Sequence, residues 1–316
     1  MHCIQDFKTL SLPEKSVYMQ ITANAKINLS LDVLGTLPNG YHEVAMIMQS
    51  IDLHDVLDIK KNDSGRIALR CDRADLPCDG SNLIIRAALK LMEYVNRHDG
   101  ADITLHKNIP MAAGLAGGSA DAAAALIGLN RLYGYGLDTD TLKEIGAALG
   151  ADIPFCMQGG TCLAEGIGER LTSINPIPDC HIVLIKPVFD VSTKYVYDNL
   201  ILNGDTIHPD VAGMTELIKK GDLHGICASV GNILETVTIK GYPAIESYKK
   251  ALMYNGALGS LMSGSGPAIY GLFDDETAAK NAANAVKACF KDAGADGYDR
   301  ICICHPAREG VIVNGS

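Results

Sequence analysis

Separate stretches of this chain carry residue types that could do chemistry together. The most telling is a glycine-rich turn that opens into a helix-forming run: Pro110-Met111-Ala112-Ala113-Gly114-Leu115-Ala116-Gly117-Gly118-Ser119-Ala120-Asp121, then Ala122 to Leu126. Glycine allows positive φ and close approach by another group. The first N–H groups of a helix have no partner within it, and its dipole favours negative charge at that end. Together these make an anion cradle, and nucleotide phosphate is a common occupant. A lone glycine cluster would signal only tight packing; three glycines, a serine and an alanine-rich helix in this order favour phosphate. The stretch lacks the Gly-Lys-Ser/Thr end of a Walker A loop and the spacing of a dinucleotide site. Backbone N–H groups, the Ser119 hydroxyl and a metal ion would have to do the holding.

Lys26 and Asn28 stand two apart on the polar face of an alternating segment, so their side chains project the same way, about 7 Å apart. Such a face is usually just solvated, but Lys26 is the only lysine in a segment that otherwise forms core. In Gly150-Ala151-Asp152-Ile153-Pro154, Pro154 disfavours helical geometry at Ile153 and is expected to end the preceding element. Asp152 is then fixed in a short, stiff connection. Aspartate is a good turn residue, yet one held near a phosphate cradle is what a kinase uses to accept or orient a hydroxyl proton. Met262-Ser263-Gly264-Ser265-Gly266-Pro267 is a second glycine loop, a tight turn or a binding loop. Tyr41-His42 and Tyr195-Val196-Tyr197 put aromatic rings beside turns or at strand ends, either to stack on a nucleobase or to be partly buried.

The elements that must position these residues are set by periodicity. Ile21 to Val33 alternates, with Ile21, Ala23, Ala25, Ile27, Leu29, Leu31 and Val33 on one apolar face. Pro38-Asn39-Gly40 is a turn, and Tyr41 to Leu57 continues as strand. Asn82 caps a helix through Met92, unless it serves an adenine pocket. Ile103 to His106 is a strand, and Asp121 to Leu132 a helix with Gly134 as its stop. Next come a helix over Thr139–Leu149, strands over Gly160–Glu165 and Glu169–Ile174, and an Asn175-Pro176-Ile177-Pro178 linker. Beyond it lie strands at His181–Lys186, Ala268–Phe273 and Tyr298–Cys304, and helices at Met214–Lys219 and Glu276–Phe290. This alternation lacks the long βαβ rhythm of a doubly wound sheet, so the class is α+β.

Composition sets the bounds. The 316 residues, 47% hydrophobic and 20% charged, suit two domains or one large one with a proper core. A net charge of −10 excludes nucleic acid held on a broad basic face, though not an anionic substrate in a local pocket. The 10 cysteines form no paired Cys-x-x-Cys clusters, which speaks against zinc; they read as small buried hydrophobes, reduced in a cytoplasmic protein. Met1 to Gln20 has neither an apolar signal core nor arginine-rich transit character and reads as a short extension. No apolar run is long enough to cross a bilayer.

Taken together, the chain resembles the GHMP kinase superfamily, which includes galactokinase and the homoserine, mevalonate and phosphomevalonate kinases. The shared marks are Gly114 to Ser119 and Ser263 to Pro267. A narrower resemblance is to the branch that acts on a cytidine diphosphate methylerythritol in the non-mevalonate route to isoprenoid and terpenoid precursors. It rests on Ala25-Lys26-Ile27-Asn28-Leu29, Gly40-Tyr41-His42-Glu43, Met48-Gln49-Ser50-Ile51-Asp52-Leu53, Ser81-Asn82-Leu83-Ile84 and Gly150 to Phe155. It spans nearly everything from Ile21 onward.

The resemblance implies a two-domain α+β fold, with a ribosomal protein S5 domain 2-like N-terminal half, a ferredoxin-like C-terminal half and the active site in the cleft between them. Residues 1–20 would be the extension, 21–178 the ATP-binding domain and 179–316 the substrate-binding domain. It further implies ATP-dependent phosphorylation of the substrate's 2-hydroxyl. Lys26 and Asp152 would be the catalytic pair, Asp152 taking or orienting the hydroxyl proton and Lys26 keeping Asp152 ionised and stabilising developing charge. Pro110 to Ala120 would hold ATP, with Ser119 near Mg2+. Asn28, Tyr41, His42 and Tyr197 would hold the cytidine diphosphate part. The implied partner is that small molecule, without nucleic acid or membrane, in a monomer or homodimer. Two departures stand out: Ala120 replaces a second serine, and Asn39-Gly40 replaces Asp-Gly, which suits the same turn. The alternatives are another GHMP small-molecule kinase, or a non-catalytic ligand sensor on the same fold.

Overall fold

The computed structural model describes residues 18–38, 40–291, 293–294 and 297–314. Residues 1–17 of the expected extension, and Asn39 of the expected turn, lie outside the described residues. In chain order the first elements are β1 (Tyr18–Thr36), β2 (His42–Asn62), β3 (Ile67–Cys71), α1 (Leu83–Tyr94), β4 (Gly100–His106), α2 (Gly117–Tyr133), α3 (Thr139–Ala147), α4 (Ile153–Gln158), β5 (Thr161–Gly166) and β6 (Arg170–Ser173). Then come β7 (His181–Pro187), α5 (Thr193–Asp198), α6 (Val211–Lys220), α7 (Leu223–Ala228), β8 (Gly231–Asn232), α8 (Glu235–Gly241), α9 (Ala244–Tyr254), β9 (Gly259–Met262), β10 (Ile269–Phe273), α10 (Glu276–Phe290), β11 (Tyr298–Cys304) and β12 (Val311–Asn314).

The alternation begun at Ile21 makes a long strand, β1, that starts at Tyr18, three residues ahead of the expected edge. It pairs antiparallel with β2 over its whole length, and the register slips at Asn24/Ala25, Asn28/Ser30 and Val33/Gly35. The slip at Leu29 breaks the single apolar face that alternation predicts, because an extra residue in one strand re-aims the side chains beyond it. Ile21 to Leu29 pack in one core, whereas Leu31 and Val33 join a second. Around this ribbon lies an eight-stranded sheet in the order β12-β1-β2-β4-β3, with β5 and β6 branching from β2 and β8 beside β1. The second sheet is antiparallel, in the order β11-β7-β10-β9. Because β8 and β12 belong to the first sheet, the chain past residue 178 returns to it twice.

α2 lies across the first sheet and touches β1, β2 and α1. Its alanines 120 and 122–125 are wholly buried, so the helix sits close against its neighbours. Larger buried residues such as Ile21, Leu57 and Ile59 contribute roughly 1.5–3 kcal/mol each to that core. The helix ends at Gly134, whose φ of 65° lets its N–H return to the carbonyls of Arg131 and Asn130, as the sequence predicts. Asn82 caps α1, accepting from the Ile84 N–H at 2.9 Å.

Two local expectations are corrected. Pro154 does not end an element; it lies in the first turn of α4, where its missing N–H costs no helical hydrogen bond. Tyr195 and Tyr197 lie on the helix α5, a segment too short to show helical periodicity. Among the described residues every cysteine is a free thiol; Cys156, Cys162, Cys180, Cys227 and Cys304 are buried, as a small hydrophobe would be, while Cys78 and Cys289 are exposed. No helix among them is long and apolar enough to cross a membrane.

Candidate active site

The polar face of β1 is buried, not solvated. Lys26 is 5% and Asn28 1% exposed. A buried ammonium needs partners, and here the Lys26 Nζ donates to Asn28 Oδ1 at 2.8 Å and to the Gly114 carbonyl at 2.9 Å. The backbone N–H of Lys26 also donates to the Leu115 carbonyl. The first strand and the glycine loop are therefore stitched together at the lysine.

The loop itself turns through three left-handed positions, Ala112, Gly114 and Ala116, with φ of 49°, 74° and 56°. At Gly114 only glycine fits, since a Cβ would fall 2.2 Å from the Ser263 carbonyl oxygen. α2 starts at Gly117, four residues before the expected start at Asp121, because the glycines adopt helical geometry themselves. Side chains cap α1, α3 and α10, through Asn82, Asp138 and Asp275. No side chain caps α2, so its leading N–H groups at Gly117 to Ser119 are left for something else. Gly118 is exposed there. Pro110 to Ser119 line a cavity of about 910 Å³. Ala120, expected among the nucleotide-binding residues, does not: its methyl is wholly buried and its N–H bonds to the Ala116 carbonyl.

Under the loop lies a charge cluster that residue types and spacing do not single out. The Lys107 Nζ bridges Asp55 Oδ2 at 2.5 Å and Asp121 Oδ2 at 2.7 Å. Asp55 also accepts the N–H groups of Asn108 and Ile109, fixing the chain that enters the loop. Burial pushes the Asp121 carboxyl up, against the pull of Lys107. Asp55 sits in β2 with no periodic signal of its own, so only the fold reveals the cluster.

Asp152 occupies the N-cap position of α4 but makes no side-chain cap bond, which leaves its carboxylate uncommitted to the helix. It lines the same cavity as Lys26, Asn28, Tyr41, His42 and Tyr197. Among the described residues no ion pair within 4.0 Å joins it to Lys26. Both charges act instead around Cys156, buried in the first helical turn after Asp152. Burial pushes its thiol up, the Asp152 charge adds to that, and Lys26 opposes it.

In the same cavity the His42 and Tyr197 rings meet, centroids 4.9 Å apart and planes at 44°. The Tyr197 phenol is pushed up to about 12, by burial first and the Asp152 charge second. Tyr41 is largely exposed at the mouth. Asn82 lines the cavity too, although its amide is already spent on the α1 cap and the Pro77 carbonyl. The second glycine loop closes one wall: Ser263 Oγ donates to the Gly114 carbonyl at 3.0 Å, and Ser265 Oγ lies 2.8 Å from Thr193 Oγ1. The whole is a cleft with an uncapped helix mouth, a buried amine, a carboxylate and an aromatic pair, suited to a polyphosphate and a flat ring.

Comparison with known proteins agrees. Residues 82–160 match the GHMP kinases N terminal domain, and residues 214–292 match the GHMP kinases C terminal domain. A protein of Lachnoclostridium phytofermentans called 4-diphosphocytidyl-2-C-methyl-D-erythritol kinase is 47% identical over 264 residues, covering 84% of this chain and 91% of that protein. The crystal structure of a 4-(cytidine 5'-diphospho)-2C-methyl-D-erythritol kinase superposes with a TM-score of 0.75 at 30% identity, covering 94% of this chain and all of that one. Homoserine kinase from Cytophaga hutchinsonii shares the fold, with a TM-score of 0.76 at 21% identity over 97% of this chain. The expected α+β GHMP kinase fold is borne out.

Proposed function

The chain belongs to the family of 4-diphosphocytidyl-2-C-methyl-D-erythritol kinases, within the GHMP kinases, and from that premise we propose how its residues divide the work. The reaction is ATP-dependent phosphorylation of the 2-hydroxyl of 4-diphosphocytidyl-2-C-methyl-D-erythritol, giving the 2-phosphate and ADP, on the non-mevalonate route to isoprenoid precursors. Residues 21–178 supply the ATP-binding domain and, through Asn28, Tyr41 and His42, part of the substrate site, which residues 179–316 complete through Tyr197; β8 and β12 of the latter complete the first sheet.

The single observation that carries this reading is the uncapped mouth of α2 opening into a cavity that also holds Lys26, Asp152 and the His42–Tyr197 pair. The loop fits a polyphosphate: its amides are unclaimed by side chains and Gly118 leaves room for close approach. Among the described residues no cluster of three acidic, histidine or cysteine side chains stands ready for a metal. That suits Mg2+, which keeps phosphate and water ligands and needs few from protein. Ser119 is the residue we assign to it. Bound together, ATP and magnesium supply the phosphoryl group and offset its charge.

The acceptor is a tertiary alcohol, a crowded and weak nucleophile. Phosphoryl transfer runs through a loose transition state in most analyses, so holding the hydroxyl in line matters more than stripping its proton early. Asp152 orients that hydroxyl and takes its proton. Lys26, fixed by Asn28 and the Gly114 carbonyl, places positive charge between loop and alcohol. Its separation from Asp152 fits a group that serves the phosphoryl oxygens more than the carboxylate. Asn28, Tyr41, His42 and Tyr197 receive the cytidine diphosphate part, the two rings offering stacking surface. Free thiols suit a reducing compartment, and we place the enzyme in the cytoplasm.

A coupled ADP-release assay tests the reading with a substrate panel. The diphosphocytidyl substrate should support turnover that stops when magnesium is chelated, and mevalonate or homoserine should not. Turnover on mevalonate alone, or binding without ADP release, would overturn it.

A further inference from the structure

The second glycine loop lines the cavity, yet its groups are largely engaged within the protein, and what holds it lies further back. Asn232, on the two-residue strand β8, is 6% exposed. Its Nδ2 donates to the Met262 carbonyl at 2.8 Å and to the Gly264 carbonyl at 2.7 Å, while its Oδ1 accepts the Leu234 N–H at 3.0 Å. Three residues on, Glu235 Oε1 accepts the Met262 N–H at 2.8 Å, and its other oxygen is held by Lys249 at 2.6 Å. Met262 is thus gripped at both its N–H and its carbonyl, where β9 passes into the loop.

From this grip a short relay reaches the lysine of the site. Ser263, fully buried, donates to the Gly114 carbonyl at 3.0 Å. That same oxygen accepts from Lys26 Nζ at 2.9 Å. The fit is close at Gly114, where an added Cβ would fall 2.2 Å from the Ser263 carbonyl oxygen. Backbones packed that closely leave Ser263 little freedom to shift without moving the Gly114 carbonyl that holds the amine. β8 is itself tied to β1 beside the site, Asn232 opposite Leu31. The clamp therefore shares a frame with the strand that carries Lys26.

We propose that Asn232 and Glu235 are positioning residues for phosphoryl transfer: by clamping Met262 to Gly264 they set Ser263 against the Gly114 carbonyl, and so fix where the Lys26 amine stands. The inference rests on the kinase reading above. It predicts losses in kcat more than in KM, because the alcohol and nucleotide still bind while the charge they need is displaced.

The test pairs Asn232→Asp with Ser263→Ala. The aspartate keeps the acceptor for Leu234 and loses both donated bonds, and the alanine removes only the last hydroxyl of the relay. Each variant should fold, by circular dichroism and thermal melting, and lose about tenfold in kcat with KM for ATP and for the alcohol changed by less than about threefold. The double variant should fall about as far as either single one, since linked residues do not add. A folded Asn232→Asp or Ser263→Ala enzyme with full kcat, or a double loss equal to the product of the singles, would overturn the proposal. A readout free of turnover separates its failure from failure of the kinase reading: backbone amide resonances of Gly114 and Leu115 should shift in Asn232→Asp, and unchanged resonances there would overturn the clamp whatever the unmodified chain phosphorylates.

Discussion

The two glycine loops of this protein have similar compositions and opposite uses. Gly114 to Ser119 leads into α2 with its amides uncapped and Gly118 open to the cavity. Ser263 to Pro267 is buried nearly throughout: Ser263 and Ser265 are 0% and 6% exposed, and Asn232 and Thr238 reach its carbonyls. In the first loop Gly118 keeps space for a ligand, while Gly114 lets the two loops pass close together. In the second, Gly264 and Gly266 supply the positive φ, 56° and 86°, of a buried turn. What separates a binding loop from a bracing loop is therefore where the polar groups already point, which composition does not record.

The largest test of this contrast lies between the loops, at the residues we assign to chemistry. Asp152→Asn and Lys26→Ala should each lower kcat by about three orders of magnitude or more while ATP binding and the melting temperature stay near the parent values. Near-normal kcat in either would remove that residue from the mechanism. Next come matched alanines in the two loops. Gly266→Ala in the bracing loop forces a Cβ at φ 86° to within 2.5 Å of Met262 Sδ, and should destabilise the fold by about 1–3 kcal/mol in denaturant titration. Gly118→Ala in the open loop meets nothing nearer than Leu83 at 3.6 Å, so the fold should be as stable as before or slightly more so, and the cost should emerge as a several-fold higher KM for ATP. The reverse pattern would show that the two loops had been assigned the wrong way round. The smallest expected effect is at the aromatic end: His42→Ala, which removes the ring against Tyr197, should raise KM for the cytidine substrate several-fold and leave KM for ATP alone.

Much of this was legible in the sequence where one residue type has one physical use. The glycine-to-helix junction, the Asn82 cap and the Gly134 stop came from local backbone rules. Lys26 stood out as a lone cation in an apolar strand. Other features were hidden because they depend on distant partners. Alternation through Val33 could not reveal the slip at Leu29, which is set by pairing with β2. A proline can end one helix or open the next by the same geometry, and Pro154, expected to end an element, lies in the first turn of α4. The Asp55–Lys107–Asp121 cluster joins β2, the end of β4 and α2, and Asn232 acts through Met262, thirty positions away. What the Lys26 amine touches was hidden for the same reason: the Gly114 carbonyl and Asn28 hold it.

The most direct measurement is a backbone amide NMR titration with a non-hydrolysable ATP analogue and magnesium. The largest shifts should fall on Gly117, Gly118 and Ser119, with much smaller ones over Ser263 to Gly266. Shifts centred on the second loop, with the mouth of α2 silent, would contradict a triphosphate held at that helix.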